Sequence, residues 1–236
     1  MRLLLLAALA AVPLTALSAR PAVKAPARAA VRAPVAVDWS RTIAPTPQGG
    51  MRMGNPNAPF KLIEYGSRTC PHCAAFDVEG LPTLKAGPIK SGKLSYEFRD
   101  YPVHGALDLA PILLGNCVPT ARFFPVLDAM FANQNALLGN ADSLTIPPNS
   151  TAVQIANLVG DKLGYVAFMK RFGMTPVQAR ACLSNPAAIN RIAARTKFAN
   201  DTFKIPATPS FILNGKLVAN VYNWAALEPV LRAAGI

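Results

Sequence analysis

Two cysteines separated by two residues have the clearest chemical potential in this sequence. The run CPHC, residues 70–73, follows an apolar segment and opens a predicted helix. This spacing allows the two sulfurs to close a small, reducible disulfide in the first helical turn. The unpaired N–H groups and partial positive charge of a helix N-terminus stabilise a thiolate at Cys70. Because the thiolate is the attacking species in disulfide exchange, the motif predicts redox chemistry at Cys70 and Cys73.

The two residues between the cysteines favour the same chemistry. Pro71 fits the first position of a helix, where its missing N–H would have no partner. His72 adds a hydrogen-bond donor and, when protonated, a positive charge. The alternatives are a structural disulfide or half of a zinc site, and zinc would need two further ligands. The only other histidine, His104, follows a strand-end proline. We expect His104 to be structural or solvent-facing, and we expect no metal site.

A carboxylate precedes the cysteine pair by six residues. Glu64 lies in a predicted strand over residues 60–65 (FKLIEY). If its side chain faces the interior, desolvation raises its pKa, and the carboxyl can exchange a proton with the buried Cys73. The alternative is an edge-strand carboxylate that faces water. We prefer the interior position, which makes Glu64 a proton shuttle.

A Thr-Pro pair near the C-terminus is a candidate for substrate binding. Thr208-Pro209 begins the last predicted hairpin. A cis bond before Pro209 would set the Thr208 backbone opposite the cysteine pair, where its N–H and C=O could bind an extended substrate as an added strand. Only about one X–Pro bond in twenty is cis in folded proteins. These two residues alone therefore leave the isomer open.

The remaining cysteines, Cys117 and Cys182, each lie on a predicted helix. Four cysteines allow three pairings, and an active-site pair leaves only one of them. In an oxidising compartment we expect a structural Cys117–Cys182 disulfide. Two buried free thiols are the alternative.

Hydrophobic periodicity predicts the elements that position these residues. Strands over 60–65 and 94–99 flank the helix that starts at Cys70, which is the opening half of a parallel α/β sheet. A hairpin over 210–221 returns the chain to the sheet, since Asn-Gly at its centre is a strong two-residue turn signal. A terminal helix is expected over 224–233.

Between the two halves of this sheet the pattern is helical. Apolar residues recur at helical spacing from 105 to about 202, and Pro176 and Pro186 each follow a capping residue, which marks two helix starts. We therefore expect a helical domain, residues 105–202, inserted into an α/β domain that is split into residues 38–104 and 203–236.

The N-terminus has the pattern of an export signal. One arginine precedes an apolar run over residues 3–17, and small residues at Ala16 and Ser18 suit cleavage after Ser18. The run is shorter than the roughly 20 residues that a spanning helix needs. We expect a signal peptide over 1–18, a Pro/Ala-rich tether over 19–37 and an exported protein.

The net charge of +12 does not form a nucleic-acid patch. Basic residues are scattered along the chain without interleaved aromatic residues, and a surplus lies in the segment before residue 60. Attraction of this segment to anionic lipid or cell-wall polymer is compatible with the charge, but specific nucleic-acid binding is not expected.

In combination these features resemble the DsbA-like family of bacterial periplasmic thiol:disulfide oxidoreductases. The shared features are the signal peptide, GNPNAP before the first core strand, the buried-strand glutamate, CPHC, the inserted helices and Thr208-Pro209. The resemblance implies a thioredoxin-like fold with an inserted all-helical domain. It also implies that Cys70 is the exposed nucleophile, Cys73 its resolving partner, Glu64 the buried carboxylate and Pro209 a cis proline. No cofactor is implied.

The direction of catalysis is less constrained than the chemistry. Thr208 departs from the best-known oxidase of the family, which has valine there, whereas the periplasmic isomerases have threonine. Our leading hypothesis is an oxidase that acts on unfolded or reduced exported proteins and is reoxidised by a quinone-linked membrane partner. The alternatives are an isomerase or a dedicated reductant, and, in another class, a metal- or peptide-binding protein that kept the fold. A monomer is slightly favoured.

Overall fold

The computed structural model describes residues 37–236. The predicted signal peptide lies outside the described residues, as does the predicted tether except for its last residue. The described chain falls within one compact unit, Ala36–Ile236. No helix within it is long and apolar enough to cross a bilayer.

One mixed sheet forms the frame of the part of the chain that the structure describes, with six strands in the order β1-β2-β4-β3-β5-β6. The strands are β1 Ile43–Pro45, β2 Met51–Gly54, β3 Phe60–Gly66, β4 Leu94–Asp100, β5 Ser210–Leu213 and β6 Lys216–Leu217. The two central strands β3 and β4 pair in parallel, and every other pairing is antiparallel. A parallel pair needs a crossover, and the crossover here begins with the helix that carries the cysteine motif.

Among residues 37–236, ten α-helices surround or extend the sheet. They are α1 Pro71–Glu79, α2 Leu81–Leu84, α3 Ala106–Gly115, α4 Phe123–Ala132, α5 Gln134–Leu138, α6 Ala152–Lys162, α7 Tyr165–Met169, α8 Pro176–Leu183, α9 Pro186–Phe203 and α10 Trp224–Ala233. The predicted starts of α8 and α9 are confirmed, because the side chains of Thr175 and Asn185 accept the backbone N–H groups of Gln178 and Ala188. Each cap satisfies a donor that the first helical turn leaves unpaired.

The last hairpin is shorter than the sequence predicts. Its second strand ends at Leu217, whereas the apolar pattern continues to Val221. The reason is that Asn220 has a positive φ of 60°, which directs the chain off the sheet edge. Val221 is then buried in the core beside α10 instead of extending β6. The apolar side chain of Val221 therefore indicates a contact with the core and not a continuation of the strand.

Two of the three apolar cores within residues 37–236 meet along one helix. The sheet, α1 and α10 form the first core, and the helices between β4 and β5 form the second. α4 serves both, since Phe124 and Leu127 face the sheet core while Val126 and Met130 face the helical core. This shared helix fixes the helical segment against the sheet. The domain boundaries at 104/105 and 202/203 stay a prediction.

Candidate dithiol active site

The two motif cysteines lie where the chain passes from β3 into α1. Cys70 is the N-cap residue of α1 in extended conformation, and Pro71 occupies the first helical position. Both cysteines are free thiols. Cys70 is 5% exposed, and Cys73, one turn further along the helix, is fully buried. The expected exposure of Cys70 is therefore not found, but Cys70 is the more accessible of the two cysteines.

The surroundings of Cys70 favour its thiolate. The hydrogen bond from the Cys73 thiol, followed by contacts with Thr208 and with the N–H groups of Cys73 and His72, lowers the pKa of Cys70 from 9.0 to about 5, although burial opposes the shift. The N–H groups are available because no side chain caps the start of α1. The N–H groups are the part of this effect that the helix position predicts, whereas the Cys73 thiol and Thr208 contribute more.

The facing loop brings Thr208 to the other side of Cys70. The Thr208–Pro209 peptide bond is cis, and the Cys70 thiol donates to the Thr208 carbonyl oxygen over 3.3 Å. The Thr208 side chain Oγ1 is buried and has no partner among residues 37–236. The hydroxyl is therefore available to donate to Cys70 once the thiol has lost its proton.

The surroundings of Cys73 have the opposite effect and disfavour its thiolate. Burial, the hydrogen bond to Cys70 and the negative charge of Glu64 raise its pKa well above the ordinary thiol value. The single opposing contact is the Ser67 N–H, which lies 3.4 Å from Cys73 Sγ. The two sulfurs thus have divergent proton affinities, and such a divergence assigns different roles to paired groups.

Glu64 points into the sheet core and not to water. Its side chain is 1% exposed, and the Tyr96 hydroxyl donates to Oε2 over 2.5 Å. Burial raises the pKa of Glu64 from 4.5 to about 8, helped by the charges of Asp77 and Cys70 and opposed by the Tyr96 hydrogen bond. A carboxyl that titrates near neutral pH can both give and take a proton.

The burial of Glu64 predicts a pH-dependent gain in stability for Glu64→Gln. The folded protein retains this proton between pH 4.5 and 8, where the unfolded chain releases it, so wild-type stability falls as the pH rises through that window. The amide does not titrate. We expect its advantage over wild type to grow from pH 4.5 to a plateau of a few kcal/mol above pH 8. Urea unfolding at pH 4.5 and 9 measures it, and equal differences at both values would contradict the assignment.

The two histidines lie at the rim of the site. His72 is exposed on the first turn of α1. His104 is exposed as well, and its Nδ1 lies 2.8 Å from Thr69 Oγ1, next to Cys70 in the chain. Within residues 37–236, no group of three or more His, Cys, Asp or Glu side chains is arranged to hold a metal ion.

A buried acid that sequence reasoning missed fixes the loop before Cys70. Asp108 of α3 is fully buried and accepts the hydroxyls of Ser67 and Thr69 over 2.8 and 3.0 Å. The His104 N–H donates to its second oxygen over 2.9 Å. Burial raises the pKa of Asp108, and these hydrogen bonds offset part of that rise. An isolated acid in the apolar run ALDLAPILL was the available signal.

A second missed residue holds the same loop from the helical side. The Gln134 amide nitrogen donates to the carbonyl oxygens of Arg68 and Cys70 over 3.1 and 3.0 Å. Arg68 is itself buried, forms an ion pair with Asp100 and lies over the ring of Phe123. No local motif identifies Gln134, because its partners are more than sixty residues away.

The remaining cysteines form a Cys117–Cys182 disulfide that closes a loop of 65 residues. It joins the turn after α3 to α8: Cys182 is buried in the helical core, whereas Cys117 is exposed and lies two residues beyond the end of α3 and not on a helix as predicted. The disulfide is separate from the Cys70–Cys73 pair. Replacing both with alanine should lower the melting temperature by about 10 °C, since a loop of this size corresponds to roughly 4 kcal/mol by chain entropy. The Cys70–Cys73 potential should be unchanged when equilibrated with glutathione. A shifted potential would place this pair in the electron path.

Comparisons with known proteins match this arrangement. A family model described as thioredoxin matches residues 46–233, most of the chain. A solved structure named as a protein-disulfide isomerase from Novosphingobium aromaticivorans is 33% identical, with a TM-score of 0.74, over 78% of this chain and 95% of that one. Wolbachia pipientis alpha-DsbA1 shares the fold at 20% identity, with a TM-score of 0.62, over 80% and 92%. The predicted fold class is thereby confirmed.

Curated relatives include a candidate protein-disulfide oxidoreductase of Rickettsia bellii. It is 27% identical over 173 residues, which are 73% of this chain and 60% of the relative. A Rickettsia conorii relative is also 27% identical, over 72% of this chain and 55% of its own length. The chain thus spans somewhat over half the length of the curated relatives it matches.

Proposed function

The chain belongs to the thioredoxin family, and from that premise we propose that it is a thiol:disulfide oxidoreductase of DsbA type that introduces disulfide bonds into exported proteins. The observation that carries the proposal is the divergent proton affinity of the two sulfurs at the start of α1. The pKa of Cys70 is lowered to about 5, and that of Cys73 is raised. A stabilised Cys70 thiolate is a good leaving group and makes the Cys70–Cys73 disulfide oxidising.

The reaction begins from the oxidised pair. A substrate thiolate attacks Cys70 Sγ, a substrate–Cys70 disulfide forms, and the Cys70–Cys73 bond breaks with its electron pair on Cys73. Because a buried thiolate is costly, Cys73 takes a proton, and Glu64 is the donor. The Glu64 O–H bond breaks and the Cys73 S–H bond forms.

The second step releases the product. A second substrate thiolate attacks the substrate sulfur of the mixed disulfide, and Cys70 leaves as a thiolate. The substrate has lost two electrons to form a disulfide, and the Cys70–Cys73 pair has gained them. During this exchange the backbone of Thr208, before cis-Pro209, binds the extended substrate chain as an added strand. His72 and Pro71 complete the turn around the nucleophile.

The partners follow from this electron balance. The reduced pair must pass two electrons to an acceptor before the next cycle, and we assign this role to a quinone-linked membrane partner. The substrates are reduced or unfolded proteins in the periplasm, where the export signal would deliver the chain.

Isomerisation is the second candidate function. Two observations favour it: Thr208 stands before the cis proline, and the Novosphingobium structure at 33% identity is named as an isomerase. Both activities use the same Cys70 attack, so they differ only in which redox form of the pair meets the substrate. The reduced pair attacks wrong disulfides, and the oxidised pair accepts electrons from dithiols.

Two parallel assays separate the candidates. Oxidised protein is mixed with a reduced two-cysteine peptide, and reduced protein with a substrate whose disulfides are scrambled. We expect rapid stoichiometric oxidation of the peptide and slow reshuffling. Fast reshuffling with negligible peptide oxidation would favour the isomerase, and bound metal at one equivalent without turnover would favour a metal-binding protein.

A further inference from the structure

A buried tyrosine on β4 takes one oxygen of the Glu64 carboxyl. Tyr96 and Glu64 lie on adjacent parallel strands, two residues out of register. Each is 1% exposed, and the tyrosine hydroxyl donates to Oε2 over 2.5 Å. Tyrosine hydroxyls in a core need a partner, and here the partner is the carboxyl that the proposed reaction uses.

The other carboxyl oxygen lies beside the segment that leads from β3 to the cysteines. Glu64 Oε1 is buried and has no hydrogen-bond partner within residues 37–236. It lies against Gly66, where a Cβ would come within 2.8 Å of it. The next residue, Ser67, donates its N–H to Cys73 Sγ. Oε1 is thus the carboxyl oxygen that lacks a partner and lies next to the segment that contacts Cys73, and the charge of Glu64 acts on Cys73 directly.

We propose that Tyr96 is a positioning residue for proton exchange: by holding Oε2 it leaves Oε1 as the one oxygen that serves Cys73, and it sets the pH at which Glu64 changes protonation state. This inference rests on the proposed function. In the exchange, the O–H bond at Oε1 breaks, the Cys73 S–H bond forms, and the carboxylate that remains is stabilised at Oε2 by the Tyr96 hydroxyl. No group other than the carboxyl and the thiolate gains or loses a proton.

The charged and titratable groups around Glu64 are few. Tyr96 faces it from β4, and Asp77 and the two active-site cysteines face it from α1 and its cap. Burial and the charge of Asp128 on α4 raise the pKa of Asp77. Lys85, which forms an ion pair with Asp128, opposes this rise. Among these groups the Tyr96 hydroxyl is the one that stabilises the Glu64 carboxylate, since burial, Asp77 and Cys70 all disfavour it.

The test uses Tyr96→Phe, which removes only the hydroxyl, in the full chain. The rate of reduction of the oxidised pair by dithiothreitol is measured against pH and corrected for the thiolate fraction of the reagent. In wild type this rate should fall as Glu64 loses its proton. In Tyr96→Phe the fall should move to higher pH by about one unit, because the carboxylate loses a charge-assisted hydrogen bond. NMR titration of the Glu64 carboxyl carbon should show the same shift.

Two matched controls complete the experiment. Tyr101→Phe removes a tyrosine hydroxyl that bonds Asn200 outside the site, and it should leave the profile unchanged. In the Glu64→Gln background, Tyr96→Phe should have no further effect on the profile. If Tyr96→Phe leaves the profile and the Glu64 titration unchanged while Glu64→Gln abolishes the fall, Tyr96 only packs the core and the inference is overturned. If Glu64→Gln itself leaves the fall intact, Glu64 is not the proton donor, whatever the peptide oxidation assay shows.

Discussion

Cys70→Ser should oxidise no dithiol substrate above the uncatalysed rate. Cys70 is the sulfur at the helix start with the lowered pKa, and Cys73 is fully buried, so no second nucleophile is placed to replace it. The expected loss is total within detection, because the first covalent step cannot occur. Oxidation of a reduced two-cysteine peptide, followed by mass spectrometry, measures the loss.

The complementary variant is the control for this result. Cys73→Ser retains the nucleophile but lacks the resolving thiol, so stable mixed disulfides with substrate should accumulate on Cys70. Tryptic mapping of the adducts assigns the sulfur, and the Cys117–Cys182 disulfide should stay intact in both variants. Adducts that accumulate on Cys73 in Cys70→Ser, with none on Cys70 in Cys73→Ser, would reverse the assignment.

The reduced protein should melt a few degrees above the oxidised protein at pH 7. A folded-state pKa of about 5 for Cys70, against 9.0 in the unfolded chain, adds stability that is complete above pH 9 and is lost as the pH falls through 5. The oxidised form has no such group. The difference in melting temperature should therefore shrink as the pH is lowered from 8 to 4.

The control for this prediction removes the thiolate without adding bulk. Reduced Cys70→Ala should lose the pH-dependent part of the stability, while Cys73→Ala should keep part of it, because the helix N–H groups and Thr208 still face the Cys70 sulfur. Scanning calorimetry of each variant at several pH values measures how the melting temperature of each depends on pH. A reduced form that melts below the oxidised form at every pH would show that the disulfide is structural.

Local sequence patterns were sufficient to predict the position of the nucleophile. The cysteine motif follows a β-strand and opens a helix, so its position, the proline at the first helical turn and the low pKa of Cys70 all follow from local physics. Capping pairs likewise located the starts of α8 and α9. In each case a determinant lies within a few residues of the feature, although Thr208, which also lowers the pKa of Cys70, is distant in sequence.

Features that depend on distant contacts were not accessible in this way. The burial of Glu64 depends on β4 and β5 flanking β3, and the residues alone left the isomer at Pro209 open. Asp108 and Gln134 act on a loop that is about forty and sixty residues away, so the local pattern that singles out Asp108 does not assign its partners, and none singles out Gln134. The five-residue helices α5 and α7 are shorter than two helical turns and give no resolvable period.

The redox potential of the Cys70–Cys73 couple tests the central claim most directly. The protein is equilibrated with glutathione buffers of graded composition and alkylated, and its free thiols are counted. The variant Cys117→Ala/Cys182→Ala is measured in parallel, because in it only the active pair titrates. A stabilised Cys70 thiolate favours the reduced form, and each 30 mV corresponds to about 1.4 kcal/mol of that preference. We predict a couple more oxidising than glutathione. A potential as low as thioredoxin's, about −270 mV, would make the protein a reductant and contradict the account.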